Sequence, residues 1–513
     1  RLLVHASAPT FGVGTTETAL TAKTVAGQAS LCASGLTFAN GVYFTIARYN
    51  QAPGRVVTNL GWWFRGDVGV QRTGTAVTGW NDSAIGWADG TDLPSVIQAT
   101  AANQPSYTRY QNFNPVVTFD GTNDFLRNTA GYWKGTTNNQ QYNLFAVANS
   151  QSTSANTLFG ENTSGGIQMF WAPNGGNAYS GLYNTYIGSF AWGGTVGTPD
   201  LWTGRFNNSS TTKVNAISRE GKQLVSNTTT IAFNGANAPL YLGIHDGVNY
   251  PFHGDIAEIV MYDRDLSATE RQRIESYLAL KWGITLDQST LTNYVASDGS
   301  VIWNATANAG YKYDIAGIGK DTLAELNQKQ SRSVKSDDNV ALGIKEDDLV
   351  TIGLGAIASN NISNTNTFVA DRNFLIWGNN DGDPRFMHPY NGSGVVNTRL
   401  DRVWKVSNIG NVSNVEFCVP ATTQATHLLV HATDPTFGVG TTETALTAKT
   451  VAGQASLCAN NLTFNHGVYF TIARGLVSLH LQWSWQHELG SAVANAVLGV
   501  FLYALLDRLK QRT

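Results

Sequence analysis

Several things are scarce in this sequence of 513 residues. It holds 3 cysteines, 3 methionines and 13% charged residues, with a formal net charge of −3. That balance gives no electrostatic reason to expect nucleic acid, and no basic stripe with interleaved aromatics is present. GxSxG, HExxH, CxxC and GxxxxGK are all missing, so the usual nucleophile, metal and nucleotide routes lack a start. Long apolar runs are missing too. Residues 492–506 form a stretch of 15 that is apolar but for Asn495, shorter than the roughly 20 residues needed to cross a bilayer.

What is abundant is glycine, 52 residues of it, with many Thr, Asn and Ser between short apolar or aromatic runs. This is the composition of turn-rich β proteins, and the chain is expected to be all-β. At about 150 residues per domain its length allows two to four domains, each able to bury its own core.

Five regions follow from the patterning. Residues 1–48 are the first copy of a repeat, and 49–55 ("YNQAPGR") reads as a linker. Residues 56–285 carry short alternating strands such as "NPVVTFDG" and "NLFAVANS" and close on one helix. There Ser267 and Glu270 form a capping box, Ile274, Tyr277, Leu278 and Trp282 share a face, and Gly283 follows. The expected partner of that face is the outside of a sheet. Strand patterns resume over 286–474, one or two further β-sandwiches, which include the second copy of the repeat at 428–474. Residues 475–513 differ in composition. The apolar and basic segment 492–513 suits a membrane anchor or sorting signal on an exported protein; an amphipathic helix docked on the protein, or a non-native join, are the alternatives.

"NPVVTFDGTNDFL" (114–126) and "FHGDIAEIVMYDRDLSATERQRIESYLALKWGITL" (252–286) resemble the laminin-G-like, concanavalin A-type jelly roll of large bacterial surface proteins. "YDIAGIGKD", "NQKQSRSV" and "RVWKV" resemble the segment that often follows such jelly rolls in repetitive secreted proteins. The resemblance implies binding or architecture, as a glycan-binding, adhesive or spacer module. Some relatives of the fold cleave glucans with closely spaced carboxylates. Glu258, flanked by Asp255 and Asp263, lies in what the family uses as a framework strand, and Glu161 is solitary, so no catalytic residue is expected.

Calcium is the one cofactor to weigh. Oxygen ligands cluster at Asp120, Asn123 and Asp124, at Asp381 and Asp383 beside Asn379 and Asn380, and over 80–92. Asp and Asn also fill tight turns for reasons of their own. For glycans the candidates are Trp80, Trp87, Trp133, Trp171 and Trp192, in Gly- and Asn-rich surroundings, although a sandwich core also consumes Trp. His5 and His431 alternate with apolar neighbours, as residues packed along a strand do.

The repeat is the strongest signal. Residues 2–48 and 428–474, offset by 426, differ only at Ser7/Thr433, Ala8/Asp434, Ser34/Asn460, Gly35/Asn461, Ala39/Asn465 and Asn40/His466. Identity at surface-type positions means recent duplication or identical neighbours, and both point to a tandem array. The opening "RLLVHASAPT" reads as a processing point or a cut inside a longer polypeptide. Cys418 and Cys458 fall in one candidate domain, where a disulfide suits an oxidising exterior; three buried free thiols are the bland alternative. Cys32 is the repeat counterpart of Cys458.

The expected function is that of an extracellular, bacterial, structural or adhesive repeat protein, partnered by copies of itself in a fibre or surface stalk. A monomeric glycan-binding lectin module and a glycan-cleaving enzyme are the second and third readings. If 1–48 is completed by strands of another subunit, Cys32 pairs with the neighbour's Cys418. Otherwise 1–48 adds strands to its own chain's jelly roll.

Overall fold

The computed structural model describes residues 2–7, 15–18, 20–26, 28–46, 51–84, 95–128, 141–152, 156–161, 167–171, 177–182, 185–186, 190–191, 196–207, 213–229, 239–334, 349–392 and 394–475. The described strand pairings are all antiparallel, the fold is all-β, and the described residues contain one α-helix, Ala268–Trp282.

The first sandwich is built around strands Tyr142–Ser150 and His253–Tyr262, which pair along their length, for example Phe145 with Val260 and Ala146 with Ile259. Leu60–Arg65 and Asn114–Asp120 flank His253–Tyr262 on its other edge, and Asp200–Asn207 flanks Tyr142–Ser150. A facing layer contains Ala76–Asn81, Leu126–Asn128, Asn156–Glu161 and Leu240–Leu242. Between the layers lies a core of Phe64, Trp80, Phe119, Leu144, Ala146, Phe159, Leu242 and Ile259.

The strand period of two then requires Phe145, Val147 and Val260 to face the other way. They do, and a second core covers them, formed by Tyr277, Leu278 and Trp282 of the helix together with Trp303, Ile315, Phe374 and Ile376. Both faces of Tyr142–Ser150 are therefore buried. The helix starts at the expected capping box, Ser267 with Glu270, and stops at Gly283, whose φ of 73° is left-handed and cheap only for glycine. Its last carbonyls are buried and accept side-chain bonds: Gln111 Nε2 to Trp282 O at 3.1 Å and Asn114 Nδ2 to Lys281 O at 2.9 Å. The helix is thus a wedge between two sandwiches.

Glu275 of this helix is buried and takes one bond, from Thr203 Oγ1 at 3.0 Å. Burial pushes its carboxyl up to about 7, against the smaller pulls of Thr203 and Arg271. A carboxyl raised on folding favours the protonated folded state. The stability it contributes is complete below pH about 4.5 and is lost as pH rises towards 7. Glu275→Gln is expected to remove this slope, with a gain of about 2–3 kcal/mol at pH 8 and little change at pH 4, read from denaturation midpoints at the two pH values.

The second sandwich has one sheet containing Tyr313–Asp321, Asn373–Asn379, Trp404–Ile409, Val396–Arg399, His427–His431 and Tyr469–Gly475, and another containing Thr351–Leu354, Val415–Pro420, Gln454–Leu462 and Thr447–Val451. Its core holds Trp377, Trp404, Phe417, Leu428, Phe464 and Phe470. The second copy of the repeat supplies its closing strands. Residues 51–55 are no loose tether: Ala52, Pro53 and Gly54 are buried, and Ala52 N donates to Leu323 O.

Candidate functional site

The two copies of the repeat fold alike internally. Leu2 pairs with Thr18 and Ile46 as Leu428 pairs with Thr444 and Ile472, and Thr21 with Cys32 as Thr447 with Cys458. Even the bond from Thr Oγ1 to the Cys carbonyl recurs, at 3.1 and 3.2 Å.

What differs is what lies outside each copy. In the second, Gln454–Leu462 pairs with Val415–Pro420 and Tyr469–Gly475 pairs with Trp404–Ile409 and Val396–Arg399. In the first, the described strands Leu2–His5, Thr16–Thr18 and Tyr43–Ile46 form a sheet with one another, and Thr21–Val25 pairs with Gln28–Cys32; among the described residues no strand of 56–285 joins either group. Phe44 is consequently 64% exposed where Phe470 is 0%, Phe38 48% where Phe464 is 1%, and Val25 45% where Val451 is 6%. Phe38 and Phe44 keep each other, at a ring distance of 5.5 Å, as Phe464 and Phe470 do at 5.2 Å. Only the second pair gains Trp404 and Phe417, at 5.4 and 5.7 Å from Phe470.

Cys418 and Cys458 face each other across two antiparallel strands and are bonded, while Cys32 is a free, partly exposed thiol. Glu416 lies beside the disulfide, the one cluster of three potential metal-ligating residues among those described. Both sulfurs are consumed by the disulfide, and Glu416 already accepts from Lys449 Nζ and from Ile357 N. This is a structural group rather than a metal cradle.

The calcium candidates Asp120, Asn123 and Asp124 lie in a turn with local hydrogen bonds. Asp120 Oδ1 accepts from the backbone N–H groups of Thr122 and Asn123 at 2.7 and 3.2 Å, and Asp124 Oδ2 from that of Asp120 at 3.0 Å. Burial, with Asp120 adding to it, pushes the Asp124 carboxyl up to about 6. Asn123 donates to Asn103. Asp383 is held below the usual carboxylate range first by its side-chain bond to Arg385, and Arg402 lies 3.7 Å from Asp381. His431 packs as expected, its Nδ1 accepting from the N–H groups of Thr433 and Asp434.

Of the aromatic candidates, Trp80 requires correction: it is fully buried and its indole N–H donates to Arg65 O at 2.8 Å. A bulge opposite Gln71 and Arg72 turns Val77 and Trp80 of one strand to the same inner face, which an alternation count does not anticipate. Trp87, Trp133 and Trp192 lie outside the described residues, as do the side chains of Trp171 and Glu161 and the tail 476–513. Among the described residues no helix is long and apolar enough to cross a membrane.

Glu258 sits at the centre of a buried polar cluster that the sequence reading did not assemble. It is 0% exposed and accepts from Trp63 Nε1, Tyr277 OH at 2.9 Å, Lys281 Nζ at 2.8 Å and Trp282 Nε1 at 2.8 Å. Lys281 also reaches Asp67 Oδ1 at 2.7 Å, and Arg65 bridges Asp67 and Glu325. Burial works against the Asp67 carboxylate, yet Lys281 and Arg65 hold it well below the usual range. The one signal in the sequence was spacing: Tyr277 and Lys281 lie four apart and share a helix face. A carboxylate saturated by four donors has no room for a substrate proton.

Among the described residues, two of the open grooves border the second sandwich. One, of about 420 Å³, runs along the disulfide between Phe113, Thr422 and Gln454. The other, of about 870 Å³, lies between Tyr390, Asn391, His427, Thr441 and Glu443.

Residues 270–468, less than half of the chain, match the model of a domain family of unknown function, DUF8202; they run from the helix to the residue before the last strand of the second repeat copy, Tyr469–Gly475. No curated protein matches the sequence. Among solved structures, the chain is similar to domain 4 of AbnA, a GH43 extracellular arabinanase from Geobacillus stearothermophilus, at 17% identity over 41% of this chain and 96% of that one, with a TM-score of 0.31. It is similar to the Trypanosoma rangeli sialidase in complex with sialic acid at 14% identity over 43% of this chain, with a TM-score of 0.30, and spans 33% of that enzyme. The ligand-binding domain of botulinum neurotoxin serotype D, solved with N-acetylneuraminic acid, is 11% identical over 81% of this chain and 96% of that one, with a TM-score of 0.34. At these TM-scores the likenesses add nothing to what the chain's own residues show.

Proposed function

We propose that this chain is a non-catalytic, extracellular β-sandwich module with a structural or adhesive role, which associates with copies of itself through the repeated segment. One observation carries the reading: the same residues are buried in one copy and exposed in the other. Burying a Phe side chain is worth about 1.5–3 kcal/mol, so Phe38, Phe44 and Val25 leave a sizeable apolar surface in water beside a strand edge, Tyr43–Ile46, that no second described strand pairs. The Glu258 cluster, spent on internal bonds, supports a structural role for Glu258 itself. The laminin-G-like resemblance and an exported location belong to the same reading.

The test is sedimentation of the whole chain over a concentration series, beside Phe44→Ser. The wild-type chain is expected to associate with rising concentration, and Phe44→Ser to weaken that association by about tenfold or more, since 1.4 kcal/mol is a factor of ten. A wild-type chain that stays monomeric at all concentrations rejects the reading.

The groove of about 870 Å³ favours a second reading, glycan binding. Asn391, Thr441 and Glu443 offer hydrogen-bonding groups suited to sugar hydroxyls, and the volume is that of a small-ligand site. Selective retention on a glycan array, abolished by Glu443→Ala, would establish it.

A further inference from the structure

The geometry points to residues 2–46 as a second, interchangeable closing segment for the scaffold of residues 313–426, so that one chain can close the second sandwich of another copy of itself. This inference rests on the self-association proposed above and names its acceptor and register. The occupant of that scaffold is visible within the chain: residues 427–475 show where such a segment sits and how it pairs.

The register transfers residue by residue. Cys418 faces Cys458, Val419 faces Leu457, and Trp404 faces Phe470. With the offset of 426 the incoming partners are Cys32, Leu31 and Phe44, each the same residue type. Where the copies differ, the first is compatible. Asn461 has a left-handed φ of 55°, and its counterpart Gly35 already adopts 69°. The resident copy keeps a modest advantage. His466 Nδ1 accepts from Asn408 N at 3.3 Å, and Asp434 accepts from Thr436 N and Gly438 N at 2.8 and 2.9 Å. Asn40 and Ala8 stand at those positions in the first copy.

Exchange frees about as much apolar surface as it buries, because the two segments are nearly identical. Being part of the same chain, the resident copy holds its scaffold at low concentration, and the incoming copy displaces it as chain concentration rises or as the resident copy is weakened. The disulfide can follow without an external oxidant. The Cys32 thiolate, its proton lost to solvent, attacks Sγ of Cys418 in the neighbour's Cys418–Cys458 bond. A new S–S bond forms, the old one breaks, and Cys458 leaves as a thiolate that takes up a proton.

Cys458→Ser in the full chain tests the proposal, since the resident copy can then no longer bond to Cys418 while the neighbour's Cys32 can. In a glutathione redox buffer the variant is expected to form a disulfide-linked ladder on non-reducing electrophoresis. Peptide mapping should find Cys32 joined to Cys418, and Cys32→Ser added to the variant should abolish the ladder. A monomer, or Cys32–Cys32 bonds alone, overturns the proposal. Should Cys458→Ser aggregate, Leu428→Asp decides in the same way: it disables the resident copy at a residue with 0% exposure and leaves all three cysteines in place. Failure here with concentration-dependent sedimentation of the wild-type chain rejects the exchange alone; failure of both rejects the self-association as well.

Discussion

Glu258→Gln is expected to lower the stability of the first sandwich by about 3 kcal/mol, a shift of the thermal midpoint by roughly 10 °C for a unit of this size. The amide keeps the shape and loses one acceptor oxygen and the charge. Trp63 Nε1 and Tyr277 OH donate to one carboxylate oxygen, Lys281 Nζ and Trp282 Nε1 to the other. After substitution one pair of donors faces an NH2 group, and Lys281 is left with Asp67 as its only carboxylate. Glu258→Ala should cost more, about 5 kcal/mol, because a cavity opens beside the stranded ammonium. The check on the cause is a double-mutant cycle with Lys281→Met. If the ion pair dominates, the double variant loses less than the sum of the singles by more than about 1 kcal/mol. Additive losses would move the weight to the two indole donors. The cluster joins the jelly-roll strand, the helix and, through Arg65 and Glu325, the second sandwich, so both transitions are expected to shift.

How much of this was legible beforehand depends on the scale of the signal. The helix was readable to its ends, because Ser267, Glu270 and Gly283 act within a few residues of one another. The strands were readable as strands, since alternation is local. Their faces were not all readable. Tyr142–Ser150 is apolar on both sides because a helix and a second sandwich cover the outer face, and a bulge redirected Trp80. The polar cluster was beyond local reading for the same reason. Asp67, Glu258, Lys281 and Glu325 come from four distant segments, and no spacing rule links them. The calcium candidates show the converse limit. Asp120 and Asp383 occur in ligand-like clusters and also bond backbone amides and Arg385, and an acid's composition of neighbours does not tell a turn from a cage. The repeat was legible as a repeat from letters alone. That one copy is buried and the other exposed needed coordinates.

Cys418→Ser is expected to cost the second sandwich about 4 kcal/mol, the loop-closure value for a disulfide spanning the 40-residue separation of Cys418 and Cys458. The loss falls on the weakest join of that sandwich. Residues 427–475 are the closing segment, and their nearly identical twin at 2–46 folds internally while its described strands pair with no scaffold strand, so internal folding of the segment does not by itself secure docking. Amide exchange in Val415–Pro420 and Gln454–Leu462, slow in the oxidised wild-type chain, should accelerate by about a thousandfold, since 1.4 kcal/mol is a factor of ten. The first sandwich reaches this join through Phe113, but its inner core holds no residue of the join and should keep its protection. Reduction of the wild-type disulfide should give the same pattern. The comparison with Cys458→Ser is the informative one. Both variants lose the resident bond, but only Cys458→Ser leaves a thiol at 418 for an incoming Cys32. Under oxidising conditions Cys458→Ser should therefore recover protection as concentration rises, while Cys418→Ser should not. Equal protection of the two variants at every concentration would mean that the scaffold accepts no segment but its own.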